Sequence, residues 1–461
     1  MNISRKELAV MFKDICGESN VLTDPEAVFA YGRDQTLDLQ CEAGMVIKPR
    51  TAGEVSDILK ICSNFKIAIT PRGGGSGVTG GALPLDGGMV LSLERLDRIL
   101  ELNATDGYII AEAGVITSDL CRRVEEAGYF FPVEPSSSAF SMIGGNIAEN
   151  AGSIRSCKYG KTGDYVLNLE VVLASGERFW TGNNVEKVSA GFDLTGLFVG
   201  SEGVLGVITK AVYRLLPKPE REIYLLTSFA SLRKACDAVT AIRRSSLHPS
   251  AVEMICRNAI ELAAPFLGGT LPLTGERDEA QLLVALDDPQ CLDRSLDLAG
   301  DILQRHMSGD ILVGESAAQK EELSRLRFGI GNAMTVNRPG YRDIDACVPV
   351  SFLYEYIAGT EAICARENVD MVCFGHAADG NMHTMLLIQE GQADRYRRAT
   401  DQIYGLALQN GGVVSGEHGV GMLQRQYFGM QMQGSRLGLM KRIKALMDPD
   451  GILNPGKLFP Q

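Results

Sequence analysis

The chain has 461 residues, of which 45% are hydrophobic and 22% are charged, values typical of a soluble globular protein with two or three domains. The formal net charge of −12 argues against a nucleic-acid-binding protein, which needs a basic surface, but not against an acidic substrate held by local cations. The charged N-terminus lacks the apolar core of a secretory signal, and no window of about 20 apolar residues occurs. We therefore expect no transmembrane segment and a cytoplasmic protein, either free or docked peripherally on a membrane complex.

The predicted elements interleave strands and helices, which is typical of an α+β fold. After the segment LLPKPE, residues 221–345 alternate strands such as YLLTSF with helices such as 291–307, and 436–461 reads as a helix followed by a turn. The domains predicted from this change are 1–219, 220–425 and a C-terminal segment, 426–461, that returns to the first domain. In the first domain, strands are predicted at 43–50, 66–70, 89–93, 108–113 and 168–174, and helices at 53–65 and 117–127.

Three glycine-rich segments indicate a large phosphorylated cofactor. The first, Pro71–Gly81 (PRGGGSGVTGG), directly follows a predicted strand, and six of its eleven residues are glycine. Glycine allows backbone N–H groups to surround an anion such as a pyrophosphate, whereas the alternative is a flexible surface loop. The second segment, Glu134–Val166, combines glycines with serines and an asparagine that suit a planar cofactor with a ribityl and diphosphate tail. In the third, Phe198–Thr209, Glu202 and Gly203 are suited to an adenine or ribose edge.

Three of the five histidines fall in two short motifs, GHAADGNMH with His376 and His383, and SGEHGVG with Glu417 and His418. Two imidazoles and a carboxylate form a common ligand set for Zn²⁺, Fe²⁺ or Mn²⁺. Such an ion has open positions for the hydroxyl and carboxylate of a 2-hydroxy acid, and it polarises the hydroxyl. The alternative is that these histidines are hydrogen-bonded side chains flanking a turn.

The segment SRLRFGIGNA supplies Arg325 and Arg327, either of which offers the guanidinium fork that a substrate carboxylate needs. Arg342 is a weaker candidate, and a solvated arginine on a helix face is the alternative for Arg327.

Taken in this order and spacing, the three segments resemble the FAD-binding domain of the vanillyl-alcohol oxidase/PCMH flavoprotein superfamily. The C-terminal motif DPDGILNPGK resembles the branch that contains the glycolate oxidase subunit, D-lactate dehydrogenase and D-2-hydroxyglutarate dehydrogenase. The resemblance covers nearly the whole chain and implies a PCMH-type FAD-binding domain with an α+β cap, or substrate, domain. It implies cofactor contacts by Arg72, Gly73, Gly74, Gly75, Ser76, Gly77, Pro135, Ser137, Gly144, Asn146, Gly152, Glu202, Gly203, Ile208 and Asn454.

The same resemblance places the metal ligands on His376, His383 and Glu417, with Asp379 and Asn381 as supports for the ligands. It matches Arg327 to the residue that binds the substrate carboxylate. His418, next to a ligand, becomes the candidate base that removes the hydroxyl proton, since histidine titrates near neutral pH. Relatives with covalently attached flavin carry a histidine in the first loop, whereas Ser76 stands there in this chain, so we expect non-covalent FAD.

Two departures from the 2-hydroxyglutarate branch bear on the substrate. That branch has a lysine shortly before an LPV-like stretch, and Asp343 lies near that place in this chain. It also has an asparagine two residues after the second metal-binding histidine, where this chain has Met385. Both changes make the site less suited to a second carboxylate. The sequence therefore predicts a D-lactate or glycolate dehydrogenase ahead of a D-2-hydroxyglutarate dehydrogenase, with the D configuration taken from the resemblance.

The eleven cysteines are scattered singly, without a CxxC pair or an iron–sulfur motif, so electrons must pass to a separate carrier. The candidate carriers are an iron–sulfur subunit, an electron-transfer flavoprotein, a cytochrome or a quinone system. Two other functions stay open: an alkyl-transferring flavoprotein similar to alkyldihydroxyacetonephosphate synthase, and a non-catalytic FAD-holding subunit of a larger oxidase.

Overall fold

The computed structural model describes residues 3–37, 39–85, 87–268, 271–273, 278–288, 291–307, 309–336 and 340–460. The helices are α1 (Arg5–Cys16), α2 (Pro25–Phe29), α3 (Ala52–Phe65), α4 (Thr117–Glu126), α5 (Ile143–Glu149), α6 (Ser156–Tyr159), α7 (Leu194–Phe198), α8 (Leu232–Arg244), α9 (Arg257–Leu267), α10 (Leu292–Gln304), α11 (Ala317–Thr335), α12 (Leu353–Glu367), α13 (Ala393–Gln409), α14 (Arg425–Gln431) and α15 (Ser435–Met447).

The strands of the described residues follow the same chain order. They are β1 (Val21–Leu22), β2 (Ala43–Ile47), β3 (Ile69–Arg72), β4 (Gly88–Ser92), β5 (Ile99–Asn103), β6 (Tyr108–Glu112), β7 (Tyr129–Phe130), β8 (Val166–Val172), β9 (Arg178–Trp180), β10 (Val207–Arg214), β11 (Leu216–Pro217), β12 (Ile223–Phe229), β13 (Ala251–Cys256), β14 (Ala280–Leu286), β15 (Ile311–Gly314), β16 (Tyr341–Ile344), β17 (Met371–His376) and β18 (Asn381–Leu387).

The chain divides into two compact units. The first contains Met1–Ser153, Lys161–Lys218 and Glu417–Gln461, and the second contains Ile154–Gly160 and Pro219–Gly416. The sequence-based division differs from these units in three places: residues 154–160 and residue 219 belong to the second unit, and residues 417–425 belong to the first.

The first unit is built on two sheets. One has the order β1-β2-β4-β3, in which β2, β4 and β3 run parallel, and the other has the order β5-β6-β10-β8-β9 and is antiparallel. Its core joins apolar residues of α1, α3 and both sheets to Ile452 and Leu453 near the C-terminus. Leu453 forms a parallel bridge with Ile69, so the C-terminal segment lies beside the start of β3.

The helix predicted at 53–65 is α3, and its C-cap explains why the next strand starts later than predicted. Lys66 adopts a left-handed conformation with φ of 55°, and its N–H donates to the carbonyls of Cys62 and Ser63. This cap turns the chain, so β3 begins at Ile69 rather than residue 66 and runs on to Arg72. The strand therefore delivers Arg72 directly to the glycine-rich loop.

The second unit is built on one antiparallel sheet with the order β15-β12-β14-β13-β17-β18-β16. Alternate residues of β13, β17 and β18 line one face of this sheet, because successive strand side chains point to opposite sides. On that face, Ile255, Phe374 and Leu387 pack with buried residues of α9 and α11 to form an apolar core. The polar residues of the same face are therefore presented to the same two helices.

Within the described part of the chain, none of the helices combines the length and the apolar character needed to cross a bilayer.

Candidate functional site

The glycine-rich loop after β3 packs its backbone against the second glycine-rich segment. A Cβ atom on Gly74 would lie 2.1 Å from the carbonyl oxygen of Phe140, and one on Gly73 would lie 3.4 Å from Met142 Cβ. Gly75 has φ of +65°, and a Cβ there would lie 2.0 Å from Arg72 Nη2. Gly74 and Gly75 therefore need glycine, and these contacts place the two segments side by side in the first unit.

These two glycine-rich segments leave room for a ligand. A Cβ atom added at Gly77 or at Gly145 would meet no atom within 4 Å, so both glycines border open space. Arg72 is buried, and among the described residues none accepts a hydrogen bond from its Nη1. Burial lowers the pKa of Arg72, partly offset by the charge of Asp34. A buried guanidinium with an unused donor beside glycines fits the pyrophosphate of FAD.

The remaining residues predicted to contact FAD fall into distinct environments. Asn146 donates from Nδ2 to Thr117 Oγ1 at 2.8 Å, and a Cβ on Gly144 would lie 2.7 Å from Ala113 Cβ, so both have contacts inside the protein. Ile208 lies in β10, in the apolar interior. The Pro135 carbonyl accepts a turn hydrogen bond from Ser138, and the Ser137 carbonyl accepts from Phe140 and Ser141. Ser76 is partly buried and Gly152 is buried.

Asn454 joins the C-terminal segment to two of these loops. Its Nδ2 donates to the carbonyls of Gly81 at 3.1 Å and Glu202 at 2.7 Å. Its Oδ1 is buried, and no described residue donates to it. Gly203, with φ of +68°, follows Glu202 and lies against Pro71. Asn454 thus offers one unused polar atom beside the loops that border the open space.

Glu202 holds the segment that carries His418, instead of pointing only toward a ligand. Its carboxylate accepts hydrogen bonds from the backbone N–H groups of Val420 at 2.8 Å and Gly421 at 2.7 Å. The carbonyl of His418 in turn accepts from Thr79 Oγ1 at 3.3 Å, in the first glycine-rich loop. Within the motif, His418 Nε2 lies 3.8 Å from Glu417 Oε1. The first unit therefore places His418 beside the proposed flavin loops.

Glu149 is a second buried carboxyl group in this region, and the sequence analysis did not identify it. A Cβ on Gly419 would lie 1.9 Å from Glu149 Oε2, so the carboxyl group occupies the space that a side chain there would need. Burial and the neighbouring Glu202 and Asp34 raise the pKa of Glu149 well above its usual range, although His418 lowers it.

The histidine motif of the second unit forms a hairpin. His376 ends β17 and pairs with Asn381 at the start of β18, while Phe374 pairs with His383. Gly380 makes the turn with φ of +74°, and a Cβ there would lie 1.9 Å from the Val348 carbonyl oxygen. The hairpin puts both histidines on the same face, with ring centroids 5.1 Å apart and both side chains buried.

Glu253 links this hairpin to the candidate arginine. It lies on β13 directly opposite His376, and its Oε1 is 2.6 Å from His376 Nδ1. Arg327 on α11 donates from Nε to Glu253 Oε2, also at 2.6 Å, and its guanidinium lies 4.8 Å from the centre of the Phe374 ring. Burial raises the pKa of Glu253, but His376 and Arg327 outweigh burial and lower the pKa to about 2.

Asp345 is a buried carboxylate on the other side of the hairpin. Its Oδ1 lies 3.8 Å from His383 Nδ1 and accepts a hydrogen bond from Asn381 Nδ2 at 2.9 Å. Its Oδ2 accepts from Ser415 Oγ at 2.7 Å, and its backbone carbonyl accepts from Gly416 N–H at 2.9 Å. The His383 imidazole and the Asp345 carboxylate, this close together, are chemically suited to share one divalent cation.

Other candidates of the second unit lie apart from this group. Arg325 donates to the carbonyl of Gly268, and Arg342 is on the opposite face of β16 from Asp343. Asp343 pairs in register with Met385, so the two residues that depart from the 2-hydroxyglutarate branch are cross-strand neighbours. Met385 is buried in the apolar core. The Asp379 carbonyl accepts a hydrogen bond from Cys347 Sγ at 3.3 Å.

Glu149, Glu253 and Asp345 carry carboxyl groups that were not predicted as site residues; Glu253 and Asp345 are buried, and Glu149 has one buried oxygen, Oε2. A signal existed for Glu253 and for Asp345. Glu253 is the one charged residue in the strand AVEMIC, and Asp345 lies in the segment YRDIDAC, where only Asp343 drew attention. A charge within an apolar strand requires a buried partner, and that requirement points to a cation or a histidine.

Two protein-family models match this chain. The model of the FAD binding domain matches residues 43–182, and the model of the C-terminal domain of FAD linked oxidases matches residues 218–458. Glycolate oxidase subunit GlcD of Bacillus subtilis strain 168 is 35% identical, covering 98% of this chain and 97% of that protein. D-lactate dehydrogenase of Archaeoglobus fulgidus is 34% identical, covering 93% and 95%.

Solved structures show the same fold. p-Cresol methylhydroxylase with substrate bound has a TM-score of 0.82 at 19% identity, covering 99% of this chain and 98% of that chain. Alkyldihydroxyacetonephosphate synthase has a TM-score of 0.76 at 16% identity, covering 98% and 85%. The expected PCMH-type fold, of class α+β, and the expected FAD-binding domain are therefore confirmed. The chain belongs to the FAD-linked oxidases and is an FAD-linked oxidoreductase.

Proposed function

We propose that the protein oxidises a small D-2-hydroxy acid, D-lactate or glycolate, to the 2-oxo acid with the help of a divalent metal ion. The observation that carries this proposal is the buried face on which His376, His383, Glu253 and Arg327 lie together. Two imidazoles suit a cation and an arginine suits a carboxylate, and a 2-hydroxy acid needs both. The names of the relatives, a glycolate oxidase subunit and D-lactate dehydrogenases, support the same substrate class.

The metal proposal assigns His376, His383 and Glu417 as ligands of Zn²⁺, Fe²⁺ or Mn²⁺. Glu417 is joined by one peptide bond to Gly416, whose N–H donates to the backbone carbonyl of Asp345. Since Asp345 also lies 3.8 Å from His383, chain connectivity supports a place for Glu417 near the imidazoles. A bound divalent ion supplies polarisation of the substrate hydroxyl and lowers its pKa.

FAD is proposed to bind non-covalently, with Arg72 and the backbone of residues 73–77 at the pyrophosphate. The unpaired Nη1 of Arg72 and the open space beside Gly77 and Gly145 support this assignment. Ser76, where relatives with attached flavin carry a histidine, supports dissociable cofactor. Bound there, FAD would supply the two-electron acceptor that the oxidation of a 2-hydroxy acid needs.

The chain's own residues divide the remaining work. Arg327 holds the substrate carboxylate through its terminal guanidinium nitrogens, while its Nε stays on Glu253. His418 takes the hydroxyl proton on a ring nitrogen, a role supported by the anchoring of its backbone to Thr79. The scattered cysteines support electron transfer to a separate carrier: an iron–sulfur subunit, an electron-transfer flavoprotein, a cytochrome or a quinone system.

The pairing of Asp343 with Met385 supports a monocarboxylate. A second carboxylate near this pair would meet a negative charge and an apolar side chain instead of a cation. D-2-Hydroxyglutarate is therefore the second candidate substrate. Alkyl transfer, the function in the name of one structural neighbour, rests on likeness of fold alone.

Anaerobic addition of each acid to the FAD-loaded protein separates these functions. Loss of oxidised-flavin absorbance with D-lactate or glycolate, and slower loss with D-2-hydroxyglutarate, is the expected result. Loss with D-2-hydroxyglutarate alone would reverse the substrate assignment. Unchanged absorbance with all three acids would leave alkyl transfer or a non-catalytic subunit as the better account.

A further inference from the structure

We propose that Glu253 is a positioning residue that couples the metal-binding imidazole of His376 to the substrate-binding guanidinium of Arg327. This inference rests on the proposed function, since it assumes that His376 binds a metal and that Arg327 binds substrate. It assigns a role to a strand residue that lies outside the histidine motifs.

The contact with His376 fixes which ring nitrogen is available. An ionised carboxylate can only accept hydrogen bonds, so the 2.6 Å contact between Glu253 Oε1 and Nδ1 requires a proton on Nδ1. The lone pair is then on Nε2, directed away from Glu253. A carboxylate behind a histidine in this way orients the ring and makes it a more basic metal ligand.

The contact with Arg327 uses the other carboxylate oxygen. Arg327 donates Nε to Oε2 at 2.6 Å, and the Phe374 ring lies 4.8 Å from the guanidinium carbon. Both contacts restrict the rotation of the long Arg327 side chain. The hydrogen bond to Glu253 uses only Nε and does not use the two terminal nitrogens. Arg327 is thereby held ready for a planar, bidentate contact with a carboxylate.

Glu253 is a rigid point of attachment for both groups. Its strand, β13, is hydrogen-bonded on one side to β14 and on the other to β17, and its side chain is only 1% exposed. The two oxygens are divided between two different functional groups. One carboxylate therefore holds both groups, and it fixes the distance between the metal ligand and the substrate anchor.

Glutamine at this position tests the arrangement with little change in volume. The glutamine amide keeps one acceptor oxygen but places an NH₂ group, which cannot accept, before the second partner. A matched control is Asp287→Asn, because Asp287 is also a buried carboxylate of the same sheet region and pairs with Lys158 and Tyr159. The control removes a buried ion pair without touching the histidines.

Chelator-treated, FAD-loaded protein is titrated with Mn²⁺, and the dissociation constant is measured by calorimetry. Glu253→Gln is expected to weaken Mn²⁺ binding about 10- to 100-fold, the range for loss of such a support. The FAD content of Glu253→Gln should equal that of wild type. The control Asp287→Asn should match wild type in both FAD content and Mn²⁺ affinity. Arg327→Met should keep Mn²⁺ affinity close to wild type while it raises KM for D-lactate, which separates the two contacts.

Nitrogen NMR of the wild-type, Zn²⁺-loaded protein supplies a readout that does not depend on the folding of a variant. The chain has only five histidines, and His376 is expected in the Nδ1–H tautomer with Nε2 on the metal. The opposite tautomer, or a Glu253→Gln protein with wild-type Mn²⁺ affinity, overturns the role of Glu253 alone. Wild-type protein that binds neither ion overturns the metal proposal and this inference together.

Discussion

Glu253 and His376 face one another across β13 and β17, with a carboxylate oxygen 2.6 Å from the imidazole Nδ1. This pair lies on the same face of the sheet as His383, and Arg327 reaches it from α11. One buried carboxylate therefore connects a candidate metal ligand with a candidate substrate anchor.

Alanine at Gly77 or Gly145 should weaken FAD binding without unfolding the protein. A Cβ at either position meets no protein atom, so only a bound cofactor would be hindered by it. Overpacking of this kind costs about 1–3 kcal/mol, and FAD fluorescence titration of the apoprotein measures it. Gly300→Ala, in the interior of α10 and also free of contacts, is the control. FAD affinities equal to that control would place the cofactor elsewhere.

His383→Ala should lose the metal and turnover while it keeps FAD. The imidazole is an assigned ligand in the second unit, whereas the glycine-rich loops belong to the first. Metal content by mass spectrometry and flavin content by absorbance give the two readouts. His248→Ala is the matched control, since His248 is exposed and outside both motifs. Normal metal content and turnover in His383→Ala would refute the ligand assignment.

Arg327→Ala should mainly raise KM for D-lactate, by a factor that corresponds to roughly 2–4 kcal/mol, because a charge-assisted contact to the carboxylate is lost. Steady-state kinetics with an artificial electron acceptor measures the effect. Arg325→Ala changes the same helix two residues away, where the guanidinium bonds to Gly268 instead of Glu253, and should leave KM unaltered. An unchanged KM in Arg327→Ala would remove this side chain from the pocket.

Asp343→Asn should improve the use of D-2-hydroxyglutarate relative to D-lactate. The substitution removes a negative charge beside Met385, where a second substrate carboxylate is proposed to lie. Removing a like-charge contact near water stabilises by about 1 kcal/mol. The kcat/KM value for D-2-hydroxyglutarate, divided by that for D-lactate, should therefore rise about fivefold. A ratio that stays at the wild-type value would separate Asp343 from substrate choice.

Lys457 should give the first unit a stability that depends on pH. Burial lowers its pKa from 10.5 to about 8, although its Nζ donates to the Leu83 carbonyl at 2.6 Å. Between pH 8 and pH 10.5 the unfolded chain therefore binds more protons than the folded chain. Burial of the charged Lys457 side chain destabilises the folded protein fully below pH 8, and this destabilisation is relieved as the pH rises to 10.5. The unfolding free energy of wild type relative to Lys457→Met should rise by up to about 3 kcal/mol across that window.

Chemical unfolding of both proteins at pH values on either side of the window checks this difference. A difference that is independent of pH would mean that Lys457 titrates at its ordinary pKa in the folded protein.

Much of this arrangement was predictable from the sequence, because local patterns carry it. The glycine-rich loop had to follow a strand, and HAADGNMH had to form a tight turn that brings two histidines together. The cofactor contacts of Asn146 and Glu202 stay predictions. Their hydrogen bonds to Thr117 and to the 420–421 backbone could not be predicted from the sequence, because only the packing decides them. The role of Glu253 could not be predicted, because its partners Arg327 and His376 lie 74 and 123 residues away along the chain.

The most direct test of the central claim is the anomalous-scattering map of a crystal soaked in Mn²⁺. We expect one peak bound by His376 Nε2, His383 and Glu417. A map without a peak at these three side chains, or with the three directed to different places, would contradict the proposed metal-assisted chemistry.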